Sequence, residues 1–285
     1  MQVAIIGAAG KMGTWFCGYF ARQSNNNEVS AFDVKPFEIK NVKNARNIAD
    51  CVKNADLVMV CVPVKHTPAV IKQCAKAMRK QGALLAEISS IKAKALPALK
   101  KTQKDIVALC IHPMFGPGAG EKKQLKMLAV PVRNKEKELG AINNVFAGMS
   151  VKVLPDARTH DRAIAAVLGL TYFSNVAFAG MLAREDLATL NEVGGTTFAI
   201  QSMLAQSVMT DEPELIAALI RDNPHAQRYM RQYMKEAGAL ASAKGSLLEA
   251  RLTKTKKRLQ KQADLDASYR RMYGIIELLG RPAAE

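Results

Sequence analysis

The 285-residue sequence is poor in the residues that staple small secreted folds. Its five cysteines, Cys17, Cys51, Cys61, Cys74 and Cys110, all fall in the first 110 positions, mostly within apolar runs and with no C-x-x-C pair. That excludes a disulfide framework, gives no reason to expect a metal, and reads as reduced core thiols in a cytoplasmic protein. Acidic residues are also short: 41 Lys and Arg stand against 25 Asp and Glu, a formal charge of +16. Such a charge raises nucleic acid as a partner, because clustered Lys and Arg neutralise phosphates. The basic residues are instead spread along the chain, and the one dense run, Lys254-Thr255-Lys256-Lys257-Arg258-Leu259-Gln260-Lys261, has no recognisable nucleic-acid motif beside it. A solvated helix face is the expectation there, with a positive field that attracts small anionic substrates and cofactors. No charged leader precedes the first apolar run, and no apolar segment reads as both long and uninterrupted enough to span a bilayer, so neither secretion nor a membrane is expected.

What is present begins at Val3-Ala4-Ile5-Ile6-Gly7-Ala8-Ala9-Gly10-Lys11-Met12-Gly13. Four apolar residues suit a buried parallel strand, and Thr14 to Arg22, with Trp15, Phe16, Tyr19 and Phe20, suits an amphipathic helix. The glycines therefore lie in a strand-to-helix turn. Gly7 permits the sharp turn, Gly10 lets backbone N–H groups approach a pyrophosphate, and Gly13 lets the helix pack on the strand, with Ala8, Lys11 and Met12 completing the loop. The helix N-terminus then faces the anion. Twenty residues after Gly13, Val29 to Phe32 reads as a second strand ending in Asp33, placed to bind the ribose hydroxyls of NAD and repel the extra phosphate of NADP. Asp33 could alternatively just start the turn toward Pro36, and Lys35 keeps NADP open.

Beyond Asp33 strands and helices alternate. Strands are expected at 57–62, 83–88, 106–111, 127–132 and 150–154, and helices at 48–55, 66–80, 93–101 and 135–148. This pattern predicts parallel strands joined by crossover helices, a doubly wound Rossmann-type α/β domain over residues 1–154. From 155 the strand signals cease. Helical spacing over 161–183, 187–209, 213–221, 224–243 and 246–279 predicts an all-helical substrate and dimerisation domain over 155–285. The last helix carries an apolar stripe through Leu247, Leu248, Leu252, Leu259, Leu265, Met272, Ile275, Ile276 and Leu279 that could seal a homodimer or pack on its own domain.

In such a sheet the ligand crevice lies at the carboxyl ends of the strands. Three loops there are chemically unusual: Val62-Pro63-Val64, which would pack near the cofactor; Glu87-Ile88-Ser89-Ser90-Ile91-Lys92; and Cys110-Ile111-His112-Pro113 continuing to Pro117. His112 could accept a proton from a substrate hydroxyl, and Ser90 could bind that hydroxyl or hold the imidazole. A turn histidine satisfied by backbone is the competing account of His112.

These residues resemble a family. The Gly7 turn, Ser89-Ser90-Ile91-Lys92, His112-Pro113-Met114-Phe115-Gly116-Pro117, Thr159-His160-Asp161-Arg162 and Gly169-Leu170-Thr171-Tyr172-Phe173 look like prephenate dehydrogenase, in the form common in archaea. The resemblance implies NAD-dependent oxidative decarboxylation of prephenate or arogenate in tyrosine biosynthesis, with His112 as catalytic base and Ser90 as the hydroxyl-binding serine; Ser89 beside it is taken as a substrate-binding residue. His160 and Asp161 match a segment expected to cap and pack. Two positions depart from the family: Tyr172 replaces a histidine, and Ala199 stands where an arginine grips the ring carboxylate. Tyr172 could donate a hydrogen bond instead, and Arg221, Arg228 or Arg231 could supply the cation, with Arg228 taken as the substrate-binding candidate. A related dehydrogenase of another hydroxy acid, or a non-catalytic NAD-binding protein, are the alternatives.

Overall fold

In a computed structural model, which describes residues 1–23, 27–120 and 125–279, the N-terminal apolar run forms strand β1 (Gln2–Ile6) and the glycine turn leads into helix α1 (Lys11–Gln23). Alternation along β1 divides the interior. Val3 and Ile5 face a core with Phe16, Phe20 and Phe146, while Ala4 and Ile6 face a second core with Val52, Ile71 and Leu99. A sheet buried on both faces demands such continuous apolar strands.

The other strands are β2 (Glu28–Phe32), β3 (Val42–Asn44), β4 (Leu57–Val60), β5 (Leu84–Glu87), β6 (Val107–Pro113), β7 (Lys126–Val130) and β8 (Ser150–Val153). Helices α2 (Ile48–Val52), α3 (Thr67–Ala77), α4 (Lys92–Lys100), α5 (Lys135–Val145) and α6 (Ala157–Ile164) alternate with them. One sheet holds the order β3-β2-β1-β4-β5-β6-β7-β8. The strand order reverses between β1 and β4, which makes their carboxyl ends the crevice of a doubly wound sheet.

Two features depart from the strand pattern expected from sequence, and the second corrects the expectation of an all-parallel sheet. β3, paired with β2, has no counterpart in the pattern read from sequence. β7 runs antiparallel to β6, with His112 opposite Leu128, and β8 is parallel to β7. A parallel partner for β6 would need a crossover helix, and the Gly- and Pro-rich stretch before β7 supplies none among the described residues. Because β6 extends to Pro113, His112 lies in the strand rather than in the loop after it.

The chain forms two compact units: Met1–Ile164 with Asp222–Pro224, and the remainder. In the second, a π-helical segment (Ala165–Leu170) precedes α7 (Thr171–Leu182), followed by α8 (Leu187–Val193), α9 (Thr196–Val208), α10 (Pro213–Ala217), α11 (Ala226–Ser242), α12 (Gly245–Gln260) and α13 (Leu265–Leu279). Ala165, Ala226 and Met230 form a small core there, with Phe173, Ile220 and Tyr229 packed against it. The helices expected at 187–209 and 246–279 are each broken. Gly194-Gly195 divides the first; Asp264, whose carboxylate accepts the Ala267 N–H at 2.9 Å, starts a new helix in the second. The side chain of Leu279 lies outside the described residues. The expectation about bilayer-length segments also fails at one place, since the 26-residue helical run Ala157–Leu182 is long and apolar enough by length and composition. Its apolar stretch carries no more than two Asp, Glu, Lys or Arg residues.

All five cysteines are free and four are buried. Burial pushes the thiols of Cys17, Cys51 and Cys74 up to about 12, so they behave as small core residues.

The first unit contains one fully buried ion pair among its described residues. Lys92 Nζ donates to Glu87 Oε1 at 2.6 Å, and both side chains are wholly covered. Removing one partner strands a charge in the interior. Glu87→Gln or Lys92→Met alone should cost about 3–5 kcal/mol in urea unfolding, and the Glu87→Leu/Lys92→Met double variant should recover much of it. A single-variant loss under about 1 kcal/mol, the range of exposed pairs, would refute this account of the pair.

Candidate active site

The turn after β1 has the geometry of a cradle for an anion. Gly7 sits at φ +94°, and a Cβ there would come 2.5 Å from the Cys61 carbonyl oxygen. A Cβ on Gly13 would overlap the Gly7 carbonyl. Both positions require glycine, one for conformation and proximity and the other for proximity alone. Gly10 is exposed, and a Cβ there would lie 3.4 Å from the Gly7 carbonyl oxygen and 3.9 Å from that of Cys61, in ordinary contact. The first backbone bond of α1 is Thr14 N–H to Gly10 O at 2.8 Å, so the N–H groups ahead of it point out of the helix end. Of the other expected cofactor residues, Ala8 is buried, Met12 and Val62 are half-buried, and Lys11 and Pro63 are exposed. Val62 Cγ1 closes on Gly7.

Asp33 belongs to this turn in space. Its Oδ2 accepts the Ala9 N–H at 3.0 Å and its Oδ1 the Lys35 N–H at 2.9 Å. It therefore both stabilises the turn toward Pro36 and stands against the glycine loop. The cradle that a Cβ would fill, with a carboxylate beside it, fits the pyrophosphate and ribose of a dinucleotide.

The second cluster is built from β5, α4, β6 and α6. Glu87 ends β5 and accepts from Lys92 Nζ, the Ser89 N–H at 2.8 Å, the Ser89 hydroxyl at 2.5 Å and the Cys110 thiol at 3.1 Å. Lys92 also donates to the Ile111 carbonyl at 2.5 Å. Ser89 is thus turned inward onto Glu87, whereas Ser90 is half-buried and its hydroxyl bonds to no described residue.

His112 is 4% exposed. Its Nδ1 lies 3.1 Å from His160 Nε2, and His160 Nδ1 lies 2.8 Å from Asp161 Oδ1. The imidazole is held by His160 rather than by Ser90. Asp161 in turn accepts the Lys92 and Ala93 N–H groups, each at 2.8 Å, capping α4 from 69 residues away; the helix's own N-cap residue, Ile91, offers no side-chain cap. Burial, then the Lys92 charge and then His160, hold the His112 imidazole well below the ordinary histidine range. Burial also lowers His160, against the opposing effect of its hydrogen bond to the Asp161 carboxylate. The arrangement is a neutral, covered imidazole with one nitrogen already engaged, a group suited to accepting a proton.

Glu87 and Lys92 were not anticipated as a pair. The available signal was an acidic residue closing an otherwise apolar strand, which needs a buried partner.

Tyr172, Arg228 and Ala199 belong to the second unit. The half-buried Tyr172 hydroxyl donates to Asp211 at 2.6 Å, and burial followed by that contact raises its pKa. Its proton is committed within its own unit. Arg228 is exposed on α11, and Ala199 is exposed on α9.

Residues 20–155 match the family model described as prephenate dehydrogenase, nucleotide-binding domain. The N-terminal part of the chain is similar to that domain. The matched span takes in Asp33, Ser89, Ser90, Lys92 and His112 and begins after the glycine turn, whose assignment rests on its own geometry. A probable arogenate/prephenate dehydrogenase of Methanocaldococcus jannaschii is 26% identical over 250 residues, covering 83% of this chain and 55% of that protein. A 4-amino-4-deoxyprephenate dehydrogenase of Streptomyces pristinaespiralis is 27% identical over 176 residues, covering 60% and 58% respectively. The chain thus spans somewhat over half the length of these curated relatives. Among solved structures, Aquifex aeolicus prephenate dehydrogenase in complex with hydroxyphenyl propionate and NAD+ superposes with a TM-score of 0.68 at 18% identity, covering 92% of this chain and 98% of that one. Synechocystis arogenate dehydrogenase gives 0.66 at 17% identity, covering 94% and 99%. These likenesses establish the shared fold, a Rossmann-type domain followed by a helical part.

Gly13→Ala tests the cradle. The added methyl meets backbone at Gly7 and Ala8, so α1 must shift off β1. NADH binding, followed by fluorescence titration, should weaken at least about tenfold, equivalent to about 1.4 kcal/mol; unchanged affinity would exclude this turn as the dinucleotide site.

Proposed function

We propose that the protein is an NAD-dependent dehydrogenase that oxidatively decarboxylates prephenate or arogenate in tyrosine biosynthesis. The observation that carries this reading is His112, a buried neutral imidazole whose Nδ1 is occupied by His160. The match of residues 20–155 to the prephenate dehydrogenase nucleotide-binding domain supports it. In the proposed reaction His112 takes the proton of the substrate hydroxyl while Ser90, whose hydroxyl is uncommitted among the described residues, orients that group. Bound NAD supplies the hydride acceptor. Carbon dioxide then leaves the opposite ring carbon, its bonding pair enters the ring, and aromatisation makes the step irreversible. Asp33 would hold the ribose hydroxyls and so favour NAD over NADP. Arg228 is the candidate anchor for the anionic substrate, which the positive charge of the chain draws in. Exposed Ala199 and the commitment of Tyr172 to Asp211 favour, as the second reading, a related dehydrogenase acting on a different substrate.

We further propose a cytoplasmic homodimer. Free thiols suit a reducing compartment, and α8 and α12 bury no residue of their own. Val193, Met181, Leu247, Leu252 and Leu259 are each about half exposed or more, at 76%, 57%, 64%, 52% and 49%. So much apolar surface on one unit is what a second copy would cover. Sedimentation equilibrium should give twice the chain mass, and Leu252→Lys/Leu259→Lys should shift it toward monomer. A wild-type monomer at micromolar concentration would end this proposal.

The activity is tested by following NADH formation with prephenate, arogenate and 4-amino-4-deoxyprephenate in turn, with aromatic product measured by absorbance. Turnover with either of the first two is expected, and His112→Asn should reduce kcat by about a hundredfold or more. Because the base must be neutral to act, kcat/KM should hold as pH falls through the ordinary histidine range and drop only below it. Normal NAD binding without turnover on any of the three would move the assignment to another substrate.

A further inference from the structure

The engaged face of His112 has a consequence for its free face. Asp161 uses its carboxylate oxygens to accept two backbone N–H groups of α4, and Oδ1 also lies 2.8 Å from His160 Nδ1. A carboxylate in that role only accepts, so His160 Nδ1 carries a hydrogen and donates it. In a neutral imidazole the other nitrogen is then an acceptor, which makes His160 Nε2 the acceptor of the 3.1 Å contact with His112 Nδ1. His112 Nδ1 therefore carries the hydrogen, and Nε2 is left with the lone pair. No described residue bonds to that nitrogen.

We propose that His160, fixed by Asp161, is a positioning residue that holds His112 in its Nδ1–H tautomer and so keeps Nε2 as the proton-accepting atom. This deepens the dehydrogenase reading and rests on it for its catalytic meaning. The proton leaves the substrate oxygen for Nε2, giving an imidazolium whose Nδ1–H remains directed at His160. No other bond changes in this step. The arrangement follows the logic by which a carboxylate fixes the tautomer of a catalytic histidine, extended by one ring.

The neighbourhood is consistent with neutral rings. Lys92 from α4, Glu87 from β5 and Cys110 from β6 are the other ionisable groups around the pair, and Lys92 and Glu87 largely satisfy each other at 2.6 Å. Burial disfavours a charge on either imidazole, and the net effect of the Lys92 ammonium is in the same direction. The helix cap explains why Asp161 stays where it is: the same carboxylate completes the N-terminus of α4.

The chain has four histidines, so ring-nitrogen NMR of protein labelled with 15N-histidine can read each tautomer without any substrate. His112 and His160 should both appear as Nδ1–H, the form less populated in free histidine, with assignments made by His112→Asn and His160→Gln. A wild-type His112 in the Nε2–H form overturns the proposal regardless of whether activity is found. Correct tautomers in a protein that turns over none of the three substrates would uphold the relay and sink the dehydrogenase reading. In an active enzyme His160→Leu should lower kcat at least about tenfold, a part of the 10²–10⁴ that a positioned base contributes, and move the acid limb of the kcat profile while leaving the KM for NAD unchanged. His160→Gln, whose amide oxygen can still accept from His112, should restore most of the rate. If His160→Leu lowers only thermal stability, with kcat and the acid limb as in wild type, His160 is structural and the proposal fails.

Discussion

A single buried ammonium ties together the elements that matter. Lys92 has no contact with water, and an uncompensated charge in that position would cost several kcal/mol. Its partners are Glu87 at the end of β5 and the carbonyl of Ile111 in β6, while its own backbone opens α4. Satisfying one charge therefore fixes two adjacent strand ends and a helix start against each other. The residue after Ile111 is His112. The His112 imidazole cannot drift without disturbing the ammonium, and the ammonium in turn helps keep it uncharged. The fold that places the histidine thus also sets its protonation.

Asp161 shows the same economy at a helix end. α4 begins at a residue with no capping side chain, and its first N–H groups would be orphaned in a buried setting. A carboxylate from α6 supplies the missing acceptor and fixes His160 as well. The glycine turn solves a comparable problem in the opposite way. There the supporting carboxylate, Asp33, binds the preceding loop at Ala9 instead of the helix.

The parts legible in the sequence were those written locally. Four apolar residues followed by spaced glycines specify a strand, a turn and a helix, and an acidic residue after the next strand follows from the same unit; all of these stand in the structure. His112 was legible as a chemical group but not as a strand residue, because nothing in Cys110 to Pro117 says that the chain returns antiparallel as β7. The short β3 lacks a periodic signature, with three residues and none buried. Lys92 reads from sequence as an ordinary exposed lysine at a helix start, and its burial depends on Glu87 and Ile111 converging on it. His160 lay in a segment expected to cap, and its neighbour Asp161 does cap; that the cap reaches α4 and the ring reaches His112 follows from contacts across 69 and 48 positions. Pairings of that span leave no periodicity to read.

The electrostatics of the first unit also bear on what an anionic substrate would do. His112 is neutral because desolvation and a nearby cation both penalise its protonated form. Its one close cation, Lys92, is spent on Glu87 and does not face outward to bind a ligand. An arriving dianion would thus find a weak base rather than a charged clamp, and its own negative field would favour the imidazolium. Binding would strengthen the base at the moment a proton has to move, a differential effect that assists reaction rather than capture. Capture falls to cations elsewhere, and this division fits a chain of +16 whose buried lysine serves the fold. In the proposed reaction, attraction by the surface and proton transfer by a neutral buried ring would be separate tasks, and the separation would let each be tuned without charging the interior.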